Sequence, residues 1–224
     1  ISGHAPSAAR VVYDYYGGKE AFPDISDELM EAVDKGDSAN FNKEEVIDAE
    51  GWPLLNFIMD ARTGLGRFRD FRISNYQLMM ELISHVSTMS IQDILELPDV
   101  KERVDLYRHY DKDFKEQIKR CSTVHGKVVV LDLRNEETIY PGNRFMIYAL
   151  YPEATVSVHV IWGVRQQNTV FAVGKSIFDK SSPVNIGDIM LRYGGGGHAA
   201  AGTCQIDNDK AEATLKELIV ELDK

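Results

Sequence analysis

The sequence predicts an α/β protein of two domains, a helical one over residues 1–121 and a mixed α/β one over residues 122–224. Three observations carry this. The first half is punctuated by helix start and stop signals. Beyond His125-Gly126 the period changes, and short β-branched runs such as Val128-Val129-Val130-Leu131 appear. With 224 residues and 44% hydrophobic content, the chain can bury one large or two small cores.

The elements follow in order. Pro6 and Ser7 open a helix that stops at Gly17-Gly18, Pro near the start and Gly past the end being the expected asymmetry, with Val12, Tyr15 and Tyr16 as its buried side. Ser26 caps a helix over 27–35, with acidic residues in the first turn where the helix dipole favours them. A loop spans 36–42, and helices follow over 43–49, 53–63, 75–87, 90–95 and 99–121. The last is long and highly charged and leads out of the first domain. Strands are expected over 127–133, 143–150, 155–162, 168–173 and 203–206. Asn185 caps a short helix over 185–193. A final amphipathic helix over 209–222 puts Ala211, Leu215, Leu218, Ile219 and Leu222 on one face. A sheet with two helices on one or both faces accounts for this half.

Net charge is −10, which argues against a general nucleic-acid coat. It is compatible with a local basic cleft or with carboxylates gathered for metal. Cys121 and Cys204 stand far apart in no CxxC pattern, so no zinc site follows from them and a disulfide stays open. A reducing, cytoplasmic location is the simplest reading. No apolar run reaches the roughly 18–20 residues that span a bilayer. The chain does not begin with Met, so its start reads as processed, tagged or truncated.

The densest chemical signal is Gly194-Gly195-Gly196-Gly197-His198-Ala199-Ala200-Ala201-Gly202. Glycines let a backbone approach a ligand closely, and backbone N–H groups in such a turn can converge on an anion. His198 adds a donor or a proton. This run resembles the signature of the DHH-associated domain, the C-terminal half of DHH-family phosphoesterases. That family includes exopolyphosphatase-like proteins, nano-RNases and cyclic-dinucleotide phosphodiesterases, and a related domain ends alanyl-tRNA synthetases. The resemblance covers nearly the whole chain and is sharpest from about Cys121 onward. It implies that Gly195, Gly196, Gly197, His198 and Gly202 hold a substrate phosphate across a cleft from a two-metal centre, with closure about a hinge near residues 123–126.

Asp37-Ser38-Ala39-Asn40-Phe41 fits the family's Asp-Thr/Ser-x-x-Phe element. Taken alone, Asp37 is a solvated turn residue; the resemblance makes it a ligand of one Mn²⁺ or Mg²⁺, ions that prefer hard oxygen donors. Asp34 is an alternative one turn earlier. Gly174-Lys175-Ser176 is spelled like the end of a Walker A loop, but position 169 is Thr, which excludes that reading. The resemblance instead gives Lys175 and Ser176 a substrate role, with Lys where the family commonly has Arg and its bidentate fork. Arg144 and Arg165 either line the substrate cleft or pair with surface acids. Arg62, Arg67, Arg69 and Arg72 either guide an anion or a partner subunit, or form a solvated patch offset by Asp60 and Asp70. His85 reads as lying on a buried helix side, and Met59, Met79, Met80 and Met146 as core. His4 follows Ser2-Gly3 at the very start.

The family's Asp-x-Asp element and Asp-His-His triplet are not in this sequence; Asp111-Lys112-Asp113 matches only by spelling. The chain therefore reads as truncated, lacking roughly a hundred residues that would carry the parallel strands of the catalytic domain. A two-metal site needs ligands from several strand ends to hold ions about 3.5–4 Å apart. The resemblance implies a fragment of a Mn²⁺- or Mg²⁺-dependent hydrolase of phosphoester or phosphoanhydride bonds, of the exopolyphosphatase-like branch or else a short-oligonucleotide or nucleotide phosphodiesterase, inactive alone and prone to form a homodimer. Its substrate would be polyphosphate, short RNA or a nucleotide. The alternative is a non-catalytic RNA- or nucleotide-binding module like the synthetase domain.

Overall fold

In a computed structural model, residues 5–68 and 70–224 are described; His4 and Arg69 lie outside them. The chain is mixed α/β and divides into two compact units. One takes in the chain through Asp111 together with Pro141–Arg144; the other takes in Lys112–Tyr140 and Phe145–Lys224. The boundary expected at 121/122 thus differs by one helix.

The first unit is helical: α1 (Ala8–Tyr15), α2 (Asp27–Ser38), α3 (Lys43–Ile47), α4 (Gly51–Met59), α5 (Asn75–His85), α6 (Ile91–Leu95) and α7 (Pro98–His109). Its centre is α4, whose Leu54, Leu55, Phe57 and Ile58 are all buried. Phe41 packs its ring 4.7 Å from that of Phe57. Fully burying such a side chain contributes about 1.5–3 kcal/mol. Val12, Tyr15 and Tyr16, expected to be buried, are exposed, and no residue of α1 is buried. Polar contacts dock α1 instead. Ser7 caps it through Arg10 N–H and donates its hydroxyl to Asp34 at 2.6 Å, while the Arg10 guanidinium grips the same carboxylate at 2.9 and 2.7 Å. Met79 and Met80 are exposed on α5, and His85 is half-buried rather than core.

The loop expected from Gly36 is helical. α2 runs on to Ser38 and ends at Ala39, which is left-handed at φ 52°. Asn40 N–H donates to Lys35 C=O and Ala39 N–H to Gly36 C=O, the paired bonds of a Schellman cap. Within α2, Gly36 leaves room for the Asn56 amide of α4, which lies where a Cβ would project. Alanine is costly in the left-handed region, so Ala39→Gly is expected to stabilise the chain by about 0.5–1 kcal/mol. A urea midpoint that fails to rise would count against this cap.

The single helix expected over 99–121 breaks at Tyr110 into α7 and α8 (Asp111–Cys121). Arg108 and His109 close the first while Asp111 and Asp113 open the second, so each end carries the charge its dipole favours. Gln117 then ties α8 into the second unit, donating to Glu136 and Thr138 C=O and accepting from Tyr140 N–H.

The second unit is a six-stranded mixed sheet of β1 (Ser122–His125), β2 (Val128–Asp132), β3 (Val156–Trp162), β4 (Thr169–Lys175), β5 (Gly196–His198) and β6 (Ala201–Ile206). Its order is β1-β2-β3-β4-β6-β5, with only β2 and β3 parallel. Val156, Val158, Val160, Phe171 and Val173 pack with α10 (Ile186–Arg192) and α11 (Ala211–Leu222). On the opposite face α9 (Met146–Leu150) lays its Tyr148 hydroxyl on Ser157 Oγ and Gly174 C=O, each at 2.7 Å. The segment 143–150 was expected as a strand. Its apolar run is buried from Phe145 to Ala149, and such a run does not distinguish strand from helix by periodicity.

The expected hinge at 123–126 is the β1–β2 hairpin. Gly126 turns at φ 56° under the Asp223 carboxylate, which accepts Lys127 N–H at 2.7 Å. Among the described residues, no helix is long and apolar enough to cross a membrane.

Candidate functional site

The glycine run is not a simple turn. α10 is capped by Asn185, whose side chain accepts from Asp188 N–H, and ends where Gly194, at φ 74°, reverses the chain. Gly196–His198 then forms the edge strand β5, paired antiparallel with β6. Tyr193, just before the run, is fastened to α11 through Glu217 and Glu221; burial and these acids push its hydroxyl up to about 12.

Most of these glycines are required by the protein's own backbone. A methyl at Gly195 would stand 2.7 Å from Cα of Cys204 and inside the carbonyl oxygen of Thr203. One at Gly197 would enter the carbonyl of Ala201. One at Gly202 would stand 2.8 Å from both Gly196 O and Met190 Cγ, and one at Gly187 of α10 would stand 3.0 Å from the Gly197 carbonyl. Gly196 differs: it is exposed and has nothing within 4 Å of the missing Cβ. The register explains this. Gly197 pairs with Gly202, which pairs with Val173 on the face packed by α10; alternation turns Gly196 and His198 to the other face. His198 is exposed, and its Nδ1 accepts Ala200 N–H at 3.2 Å.

Lys175 ends β4. Its N–H donates to Ala200 C=O at 2.9 Å, which joins it to the turn after His198. Its side chain follows Phe171 and Val173 by alternation, and its ammonium donates to Ser182 C=O at 3.0 Å. Ser176 is buried, and its hydroxyl oxygen accepts Phe178 and Asp179 N–H, so this oxygen shapes the following turn. β4, β5 and β6 therefore bring Lys175, Ser176, the glycines and His198 to one end of the second unit.

Asp37 and Arg144 belong to the first unit. Asp37 is exposed in the last turn of α2. Asp34 is engaged: burial pushes its carboxyl up, but hydrogen bonds from Ser7 and Arg10 outweigh this and hold it below the usual range. Arg144, expected near a strand end, precedes α9 and sits 3.5 Å from Asp60, which also caps the turn at Arg62. Arg72 pairs with Asp99. Arg165 lies in an exposed turn at φ 54°. Sequence reading missed Arg103, fully buried in α7, and Arg134, which joins Asp132 to Glu212 of α11. Both have near partners as well, but the bonds that join separate elements, Arg103 to Asn75 and Ile73 C=O and Arg134 to Glu212, span 28, 30 and 78 residues and leave no local signal.

Among the described residues, no group of three or more His, Cys, Asp or Glu is placed to hold a metal ion. Asp37 can supply one carboxylate; on their own these residues do not fit a two-ion centre.

A scan against family models and a search of curated proteins returned no match. Solved structures do match. The pGpG-specific phosphodiesterase PggH from Vibrio cholerae is 62% identical over 98% of this chain and 74% of its own, with a TM-score of 0.85. The DHH domain of a member of a ribosomal-protein family matches 93% of this chain and 52% of its own at 15% identity and a TM-score of 0.52, a likeness of fold. The fold and the first of these neighbours define a phosphoesterase, a hydrolase acting on phosphate esters. The chain belongs to the DHH family, as its Gly-rich signature and Asp-Ser-x-x-Phe element imply.

Proposed function

We propose that this chain serves a phosphodiesterase that cleaves short linear dinucleotides of the pGpG kind. What carries the reading is the 62% identity to a pGpG-specific phosphodiesterase along 98% of the chain. The exposed Gly196–His198 face supports it, since it offers a phosphate close backbone approach beside an imidazole. Asp37 would supply one carboxylate to a Mn²⁺ or Mg²⁺ ion, which in this class of enzyme activates water and neutralises developing charge. Lys175 already spends one ammonium proton on Ser182 C=O, and Arg144 Nε stands 3.5 Å from Asp60, so each has an internal partner beside any phosphate role. The cytoplasm suits two free thiols, Cys121 and Cys204.

With one available carboxylate among the candidate ligands, this chain alone is expected to bind pGpG without efficient turnover. The test is calorimetric binding of pGpG with EDTA present, then hydrolysis with Mn²⁺ beside the Vibrio cholerae enzyme. Binding without turnover fits the proposal and brings the chain near the alternative of a nucleotide-binding module. Turnover abolished by Asp37→Ala gives that residue its metal role. Absence of both binding and cleavage overturns the reading.

A further inference from the structure

Taking the chain to bind a phosphorylated dinucleotide as proposed above, we infer that Arg67 of the first unit is a further anion subsite, a guanidinium seated over Gly64 without an internal partner and offered to a phosphate. The structure sorts the arginines of the run 62–72. Arg62 lies on Asp60 at 2.8 Å, and Arg72 pairs with Asp99. Arg67 has no such acid. Among the described residues, no carboxylate comes within ion-pair distance of its guanidinium and no hydrogen bond engages it.

The loop beneath Arg67 is tied down at every step. Asp60 accepts Arg62 N–H at 2.9 Å, and the buried Thr63 donates its hydroxyl to Phe57 C=O. Gly142 N–H donates to Thr63 C=O at 3.0 Å, and Leu65 is buried. Arg67 N–H closes the turn on Gly64 C=O at 3.0 Å. Gly64 turns at φ 87°, and its missing Cβ is what gives the guanidinium its seat: a methyl there would stand 2.0 Å from Arg67 Nη1. A fixed backbone thus presents a charged fork that the protein itself leaves unused.

Solvent reaches Arg67, so an ion can too. Burial nevertheless holds its guanidinium below the usual arginine range, and no acid offsets this. Arg72 is the contrast, held above that range by Asp99. A charge partly stripped of water and unpaired is costly, and an entering anion supplies the missing counter-charge. The planar donors of arginine match two oxygens of one phosphate. A guanine edge offers the same fork O6 and N7 but no net charge. Charge is what this position lacks, so phosphate is its complement.

The test is calorimetric titration with pGpG in EDTA. Arg67→Gln should bind about tenfold to a hundredfold more weakly, and its affinity should depend less steeply on salt. Arg67→Lys keeps the charge without the fork and should recover part of the loss. The urea midpoint should not fall in either variant, because no internal partner is lost. Arg108→Gln removes a charge from the exposed last turn of α7 and should bind like the native chain. Where the native chain binds, unchanged affinity in Arg67→Gln, a fallen midpoint, or an equal loss in Arg108→Gln overturns the inference alone. An equal loss with guanosine as the probe assigns the guanidinium to the base and overturns it as well. Where the native chain does not bind pGpG, the functional reading falls and inorganic pyrophosphate decides on Arg67. A pyrophosphate-induced shift of its Nε–H resonance, identified by its absence in Arg67→Lys, upholds the subsite, and no shift removes it.

Discussion

Gly195→Ala and Gly197→Ala are each expected to destabilise the second unit by about 3 kcal/mol or more, whereas Gly196→Ala should leave stability within about 0.5 kcal/mol. All three carry the same change within three consecutive residues, so local propensity cannot separate them. Packing does. At 195 and 197 the added methyl meets backbone of β6, which cannot move without breaking the strand pairing. At 196 it projects into open space. The same substitution at 196 should weaken pGpG binding, because the methyl stands on the face that carries His198. Urea unfolding and calorimetry on the three variants decide the matter. Equal destabilisation of all three would disprove this account of the hairpin; unchanged pGpG affinity in Gly196→Ala would remove the ligand from that face.

The second large effect is in the first unit. Arg103 has no exposed surface, yet each nitrogen of its guanidinium has a hydrogen-bond acceptor. Nε donates to Asn75 at 2.8 Å, Nη1 to Asp99 C=O at 2.6 Å and to Glu102 at 2.9 Å, and Nη2 to Ile73 C=O at 2.6 Å. The Phe71 ring lies 4.1 Å beneath it. One side chain thereby fastens the start of α5 and the segment before it to α7. Arg103→Ala leaves buried carbonyls without donors and should cost about 3–5 kcal/mol. Arg103→Lys keeps the charge but loses the fork and should recover only part of this. A shift in the urea midpoint worth less than about 1 kcal/mol would show that water replaces the guanidinium easily.

The sequence by itself determined what is local or carried by motif. Ser26 and Asn185 were legible as caps because an N-cap bonds only two or three residues ahead. β2, β3 and β4 were legible from β-branched runs, and the family from two short motifs. The tertiary structure alone decided the rest. Val12, Tyr15 and Tyr16 match a buried helix face in periodicity, yet α1 is docked by Ser7 and Arg10 on Asp34, more than twenty residues away. The run 146–150 became helix, and residues 122–125 became a strand, according to partners that local pattern does not name. The glycine run read from sequence as a turn opened for a ligand. Pairing with β6 and packing on α10 divide it into glycines the backbone demands and one, Gly196, that it does not. Periodicity and caps act across about one helical turn, whereas register and close approach are set by segments that meet only after the chain has folded.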